Sequence, residues 1–175
     1  DGSRLEVKFQ GELRQQQKAA ADAMLRHETG VLAATTAFGK TVVAAWLIAR
    51  RGVSTLVLVH RRQLLEQWIE RLSTFLDVPA KSIGRIGGGR NRPTGQIDIG
   101  IIQSLARKGV VDDRVAEYGH VNVDECHHLS AHSQPIRPPI RSRAVGRSSP
   151  RPVAVVTPSR PLRRVGPRCP ASRSA

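Results

Sequence analysis

Short apolar runs alternate along the chain with longer amphipathic stretches, and this alternation predicts an α/β fold. Runs of consecutive apolar residues are typical of strands that are buried on both faces of a parallel sheet. Four such runs occur, at residues 31–34, 54–59, 97–102 and 120–123. Apolar residues at helical spacing indicate helices between them, at residues 15–27, 42–51, 63–76, 103–108 and 111–118. Strands that alternate with helices favour a mainly parallel sheet.

Two other stretches are less regular. Residues 5–9 predict a short strand, and residues 83–95, with five Gly, three Arg and one Pro, predict the end of a strand followed by a mobile loop. Trp46 and Trp68 fall within apolar helical stripes, so we expect both indoles to pack in the core.

The character of the chain changes after Ala131. Residues 132–175 contain 9 of the 11 Pro, ten Arg, neither Lys nor acid, and no sustained pattern apart from residues 153–156. Such a segment buries too little apolar surface to offset its conformational entropy, so we expect it to be largely disordered. A segment with many Arg and no Lys also resembles the product of a GC-rich gene that is translated in a shifted reading frame. We therefore expect a truncated or frameshifted tail.

The positive charge of the chain is concentrated in this tail. The net charge is +14, yet residues 1–130 carry 18 Lys and Arg against all 14 acidic residues. This balance predicts either a polyanionic partner or a basic tail. Two Cys cannot build a disulfide framework and indicate a reducing, cytoplasmic compartment. The sequence predicts neither a membrane-spanning helix nor a signal peptide.

A strand, a loop of small residues, Lys40-Thr41 and a helix follow one another within residues 31–51. In a phosphate-binding loop, this order lets backbone N–H groups and the helix dipole converge on an anion. We expect Lys40 to reach the β- and γ-phosphates of ATP and the Thr41 hydroxyl to ligate Mg²⁺. The match to G-x-x-x-x-G-K-[ST] is partial because Ala34 stands at the first Gly, and a helix start without a ligand is the alternative. The loop residues that we expect to bind phosphate are Thr36, Ala37, Phe38 and Gly39.

Asp124 and Glu125 end the last apolar run, where a nucleotide hydrolase needs carboxylates. We expect Asp124 to hold Mg²⁺ and Glu125 to orient the attacking water as a general base. Ligands of parallel sheets bind beyond the carboxyl ends of strands, which is where both the Lys40 loop and this pair lie.

Two alternatives for the DECHH sequence are disfavoured. The contiguous Cys126, His127 and His128 lack the spaced ligand pairs of a zinc site. A small-molecule kinase is also disfavoured, because the cluster suits activation of water rather than a second substrate pocket.

Five short motifs occur in the order typical of a known family. ATTAFGKT resembles a Walker A motif, VDECHH a DEAH box, LVLVHRRQLLEQW motif Ia, IIQSL a backbone-contacting Gln-Ser motif and GELRQQQ an adenine-sensing Q motif. Over residues 11–131 the chain therefore resembles the first RecA-like domain of a superfamily 2 DEAD/DEAH-box helicase, in the branch of XPB-like and restriction-enzyme helicase subunits. The resemblance implies a lead-in at residues 1–10, an incomplete RecA-like P-loop NTPase domain at 11–131 and a disordered tail at 132–175.

The resemblance also assigns roles to individual residues. Gln17 would hydrogen-bond adenine with support from Arg14, although Gln15 and Gln16 depart from the family pattern. His128 would link the nucleotide state to the rest of the motor. The residues implied to contact the sugar-phosphate backbone of DNA are Arg61, Gln103 and Ser104; the alternative for Arg61 is a solvated helix start.

The function that follows is ATP binding and hydrolysis coupled to binding or translocation of DNA, with ATP and Mg²⁺ as cofactors and no membrane partner. Family members hydrolyse ATP between two RecA-like domains, and the second supplies an arginine finger worth about 10³–10⁵ in rate. We therefore expect this chain by itself to hydrolyse ATP slowly and to unwind little, unless a partner supplies the second domain. The alternative is a non-catalytic, basic nucleic-acid-binding remnant.

Overall fold

The structure is a computed structural model that describes residues 2–107, 110–124 and 151–156. Four α-helices occur in these ranges: α1 (Gln15–Leu25), α2 (Lys40–Arg51), α3 (Arg62–Leu76) and α4 (Ile102–Leu105). Three 3₁₀ helices accompany them, at Thr36–Phe38, Ala80–Ser82 and Asp113–Glu117. None of the helices in the described ranges is long and apolar enough to cross a membrane.

The strands form one large sheet and one small ribbon. They are β1 (Thr29–Ala34), β2 (Thr55–Val59), β3 (Gly84–Gly87), β4 (Arg90–Arg92), β5 (Ile97–Ile101), β6 (Ala106–Arg107), β7 (Val110–Val111), β8 (His120–Val123) and β9 (Arg151–Val156). The large sheet has the order β1-β9-β8-β2-β5-β3-β4, and β6 pairs with β7. Strands β1, β8, β2, β5 and β3 run parallel, whereas β4 and β9 run antiparallel to them. The predicted α/β class with a mainly parallel sheet is therefore confirmed.

The centre of the sheet follows the predicted pattern most closely. Strand β2 pairs in parallel with both β5 and β8, and four of its five residues are buried. Successive side chains of a strand point to opposite faces. Accordingly Val57 and Val59 pack in a core cluster with α2 and α3, while Leu56 packs on the opposite face with Leu105 and Tyr118.

The first strand differs from its prediction. Residues 31–34 were expected to be buried, but exposed and half-buried residues alternate along β1, and Val31 is 47% exposed. Leu32, on the other face, packs against a cluster that includes Met24 and Leu47. The described core clusters include Leu32 but not Val31, so the core covers only one face of β1 and the face that carries Val31 meets solvent.

Residues 151–156 of the predicted tail form a strand. Strand β9 lies between β1 and β8 and pairs antiparallel with both. The apolar residues 153–156, the one patterned piece of the tail, form the centre and end of this strand. The other residues of the predicted tail lie outside the described ranges.

Two minor predictions differ from the structure. Residues 5–9 form no strand, although Leu5 is buried in the core and a single bridge joins Arg4 to Val53. The stretch expected to be a strand end with a mobile loop forms the hairpin of β3 and β4, which its glycines permit because Gly87, Gly88 and Gly89 all have positive φ.

The two helices predicted at 103–108 and 111–118 are also much shorter than expected. Helix α4 spans four residues, and a 3₁₀ helix of five residues replaces the second prediction. Strands β6 and β7 separate the two helices, and Asp112 follows them: its N–H donates to the carbonyl of Leu105 at 2.8 Å, and its carboxylate accepts from the N–H of Arg114 at 3.0 Å. The side chain of Asp112 therefore starts a new helix instead of continuing α4.

Candidate functional site

The loop between β1 and α2 has the conformation of a helix-terminal anion site. Its 3₁₀ helix, Thr36–Phe38, ends at Gly39, whose φ of 82° lies in the left-handed region. Gly39 is also the N-cap of α2, and no side chain of the described residues caps this helix. The first N–H groups of a helix lack intrahelical acceptors. The start of α2 is therefore able to bind an anion through its backbone and its dipole.

The ammonium of Lys40 lies over this loop. Its Nζ donates to the carbonyl oxygens of Ala34 and Thr35, at 3.1 Å each. These two residues mark the carboxyl end of β1 and the start of the loop. The positive charge of Lys40 is thus placed at the edge of the sheet where the sequence predicts phosphate. Thr41, next to it, is half-buried in the first turn of α2.

Arg14 and Gln17 hold the loop from the side of α1. The guanidinium of Arg14 donates to the carbonyls of Ala37 and Phe38 at 3.2 and 2.7 Å. Gln17 is 4% exposed; its Nε2 donates to Phe38 at 2.6 Å, and its Oε1 accepts from the N–H of Arg14 at 2.9 Å. The Nε2 of Gln17 therefore holds the loop and its Oε1 caps the start of α1, while the hydrogen bond to adenine stays a prediction.

Asp124 follows β8 and is fixed at two points. Its N–H donates to the carbonyl of Leu58 in β2 at 2.9 Å, which continues the ladder by one residue. Its Oδ2 accepts a hydrogen bond from the indole Nε1 of Trp68 at 2.8 Å. The carboxylate is half-buried, so one oxygen can be held by the protein while the other faces a cation.

The register of the sheet relates the Lys40 loop to Asp124. Val31 in β1 and Val123 in β8 both lie opposite Ala154 in β9. Two strand spacings of about 4.8 Å therefore separate β1 from β8 at this level. Because β1 and β8 are parallel, the loop and the carboxylate emerge at the same edge of the sheet.

The residues proposed to contact DNA lie further along the same edge. Val59 and Ile101 are paired in the parallel ladder of β2 and β5, so Arg61 and Gln103 both stand two residues beyond a paired position. Both side chains are exposed, whereas Ser104 is half-buried beneath the β3–β4 turn. A Cβ on Gly87 would lie 2.3 Å from the Ser104 hydroxyl, which shows how closely that turn covers it. The described structure thus presents Arg61 and Gln103 to solvent and partly covers Ser104.

Glu125 and His128 lie outside the described residues, as do Cys126 and His127. Among the residues that are described, no three His, Cys, Asp or Glu side chains are grouped so that they could hold a metal ion. A magnesium site needs fewer protein ligands, because Mg²⁺ keeps several waters and is bound by one or two carboxylates together with substrate phosphates. The hard oxygens of Asp124 and Thr41 fit that requirement.

Sequence reasoning missed the role of Trp68. It predicted a core residue, and the indole is indeed 3% exposed. A buried indole N–H nearly always finds an acceptor, and this was the available signal. The acceptor, 56 positions away, was not predictable from spacing. Trp46 is only half-buried, with the guanidinium carbon of Arg50 5.5 Å from its ring.

Comparison with known proteins agrees with this architecture. The profile of the ResIII family, described as the type III restriction enzyme res subunit, matches residues 10–148. The chain is 34% identical over 133 residues to a putative DNA 3'-5' helicase Rad25 of Halobacterium salinarum, a match that covers 74% of this chain and 22% of that protein. It is 32% identical over 123 residues to the DNA 3'-5' translocase XPB2 of Sulfurisphaera tokodaii, covering 70% of this chain and 27% of the relative.

A third relative is the DNA 3'-5' helicase XPB of Mycobacterium tuberculosis, 30% identical over 128 residues that cover 69% of this chain and 23% of that protein. The chain thus spans about a quarter of the length of the curated relatives it matches. The matched profile includes all the motifs on which the resemblance rests and extends beyond Ala131. The chain therefore belongs to the ResIII family, as an N-terminal RecA-like domain of the XPB-like branch of superfamily 2 helicases.

Proposed function

We propose that this chain binds Mg²⁺·ATP and contributes to ATP hydrolysis in a DNA helicase or translocase. The observation that carries the proposal is the common position of the Lys40 loop and Asp124. Both follow parallel strands, β1 and β8, that flank the same strand β9 in matched register. Ligands of parallel sheets bind at this edge, beyond the carboxyl ends of the strands.

The residues of the loop would bind the triphosphate. Backbone N–H groups at the start of α2 would donate to phosphate oxygens, and Lys40 would exchange the carbonyls of Ala34 and Thr35 for the β- and γ-phosphates. Thr41 and Asp124 would hold Mg²⁺, which when bound neutralises phosphate charge. Glu125 would orient the attacking water and accept its proton.

Arg14 and Gln17 would keep the loop in its binding conformation. Their three hydrogen bonds occupy the carbonyls of Ala37 and Phe38 and would hold these acceptors in place when phosphate binds. This contact supports a role for α1 in sensing an adenine nucleotide, because a base that touches Gln17 would also affect the loop. His128 is proposed to pass the nucleotide state onward.

DNA is proposed to bind at the same edge, beyond β2 and β5. The three curated relatives described above are named as DNA helicases or translocases. Arg61, Gln103 and Ser104 would contact the sugar-phosphate backbone without reading sequence, and such contacts weaken as salt increases. We propose from the family that a whole protein, with a second RecA-like domain and its arginine finger, unwinds DNA. We do not expect this chain alone to do so.

Nucleotide titration of the full chain tests the proposal. Isothermal calorimetry should show ATP binding that requires Mg²⁺ and a change in affinity when single-stranded DNA is present. Binding of DNA without any ATP affinity would instead favour a basic nucleic-acid-binding remnant without a nucleotide site. A titration at two salt concentrations separates the two ligands, because DNA affinity should fall steeply with salt.

A further inference from the structure

The hydrogen bond between Trp68 and Asp124 joins a core residue to the proposed metal site. Trp68 lies in the middle of α3, and its ring packs in the same core cluster as Leu65, Ile69 and Leu72. All four of these side chains are at most 3% exposed. An indole packed in this way has little rotational freedom, so its N–H is fixed in direction.

Asp124 receives its orientation from this N–H. Its backbone is held by the carbonyl of Leu58 at 2.9 Å, and its Oδ2 by Trp68 at 2.8 Å. A neutral donor leaves the charge of the carboxylate in place, whereas an Arg or Lys in the same position would compete with a cation. Because this bond is made to Oδ2, Oδ1 would be the oxygen more available to Mg²⁺.

Asp124 directly follows β8, whose four residues are all buried. Asn122, two residues earlier on the same face, has no hydrogen-bond partner for its amide within the described structure. The indole of Trp68 is therefore the contact that distinguishes Asp124 from the other polar groups of β8. Partners of metal ligands that act in this way are typically worth about 10–100-fold in metal affinity or activity.

We propose that Trp68 is the positioning residue that orients Asp124 toward Mg²⁺, so that the Mg²⁺ requirement for ATP binding depends on its indole N–H. This inference rests on the proposed function. Trp68 itself touches neither metal nor nucleotide in this assignment; it acts through the Oδ2 of Asp124.

The test compares Trp68→Phe with Trp46→Phe in the full chain. The first variant keeps a buried aromatic ring and removes the N–H, while the second removes an indole that packs on Arg50 instead. Binding of a fluorescent ATP analogue is followed by anisotropy while Mg²⁺ is titrated. Trp68→Phe should raise the Mg²⁺ concentration for half-saturation about tenfold or more. High Mg²⁺ should restore nucleotide binding, and Trp46→Phe should leave the midpoint unchanged.

An unchanged Mg²⁺ midpoint in folded Trp68→Phe would overturn the inference, with the proposed function intact. A parent chain that binds no ATP at any Mg²⁺ concentration would overturn the proposed function and this inference with it.

A second measurement keeps the inference testable if Trp68→Phe does not fold. The two indole N–H resonances of the ¹⁵N-labelled chain are assigned with Trp46→Phe. Addition of Mg²⁺·ATP should shift the resonance of Trp68 strongly and that of Trp46 little. A Trp68 resonance that does not respond to Mg²⁺·ATP would contradict the inference.

Discussion

The side-chain amide of Gln17 lies 2.6 Å from the carbonyl oxygen of Phe38 and ties helix α1 to the loop before α2. This bond is buried at Gln17 and is reinforced by Arg14, which donates to the same carbonyl at 2.7 Å. The first turn of α1 and the proposed phosphate loop therefore behave as one structural unit.

Replacement of Gln17 by Met should loosen this unit. The substitution keeps the shape of the side chain but removes the donor to Phe38 and the acceptor for the N–H of Arg14. The free energy of unfolding should fall by about 2 kcal/mol, because two hydrogen bonds are lost and each typically contributes about 1 kcal/mol. Mg²⁺·ATP affinity should fall about fivefold, measured by calorimetry. Gln16→Met, an exposed position on the same helix, is the control and should change neither quantity.

Substitution of Gly39 by Ala should lower the free energy of unfolding by more than backbone strain alone, because the new Cβ would also meet a neighbouring side chain. The φ of Gly39 is 82°, and a Cβ there would lie 2.7 Å from the Nε2 of Gln17. Gly95, with a φ of 74° and nothing within 4 Å of its virtual Cβ, is the matched control for strain alone. A non-Gly residue in this region costs roughly 1–2 kcal/mol. Denaturant titration should show a larger loss for Gly39→Ala than for Gly95→Ala, and equal losses would refute the steric contact.

His120 should make the protein sensitive to acid. Its side chain is fully buried, neither ring nitrogen has a hydrogen-bond partner among the described residues, and burial lowers its pKa to about 3 with a contribution from Arg51. The unfolded chain, with a His pKa of about 6.5, binds the extra proton between these two values. Stability should therefore decrease as pH falls from about 6.5 toward 3, by up to about 1.4 kcal/mol per pH unit.

Unfolding of His120→Leu at several pH values measures this contribution. The variant should lose part of the dependence on pH, whereas His27→Leu, at an exposed position, should retain it. A parent and a His120→Leu variant with identical slopes between pH 6 and 4 would show that His120 does not titrate on unfolding in this range.

Tyr118 should contribute to stability through a buried carboxylate. Asp98 is fully buried and accepts hydrogen bonds from the N–H and hydroxyl of Thr94, the N–H of Gly95 and the hydroxyl of Tyr118. Burial, together with this bond, raises the pKa of Tyr118 above its usual range. Tyr118→Phe should cost about 1.5–3 kcal/mol of unfolding free energy, the range for hydrogen bonds to charged groups.

The partly exposed pair of Arg114 and Asp112, at the surface, provides the contrast for Tyr118→Phe. Asp112 has a pKa lowered to about 2 by its side-chain hydrogen bond from Arg114, yet both groups meet solvent. Exposed pairs contribute little because water screens them. Thermal unfolding of Arg114→Gln should resemble that of the parent chain.

The central strands could be predicted because the apolar residues within each strand indicate by themselves that the strand is buried. Residues 55–59 are apolar on both faces, and the structure places them between β5 and β8. The burial of β1 could not be predicted in the same way. An apolar run shows that a strand can be buried, but it does not show which neighbouring elements cover the strand. Val31 is exposed because the described core clusters pack on the face of β1 that carries Leu32, and this depends on how the helices are arranged around the sheet.

The candidate site also contains features that the local sequence predicts and features that it does not. Asp124 follows an apolar run directly, and Lys40 and Thr41 follow one after the short loop of residues 35–39. The position of these residues beyond the carboxyl end of a strand could therefore be predicted from local sequence. The bond from Trp68 to Asp124 and that from Gln17 to Phe38 join residues 56 and 21 positions apart, and no spacing rule indicates them. The Gly-rich hairpin was likewise missed, because glycines that shape a tight turn look the same in sequence as glycines of a loop.

The ammonium of Lys40 provides the most direct test of the nucleotide site. Mg²⁺·ATP affinity should be measured by calorimetry for the parent chain, for Lys40→Ala and for Lys81→Ala, an exposed lysine of the Ala80–Ser82 helix. Loss of a charged hydrogen-bond donor to phosphate should weaken binding about tenfold or more in Lys40→Ala alone, with DNA affinity retained. Equal ATP affinity in Lys40→Ala and the parent chain would contradict the assignment of this loop to phosphate.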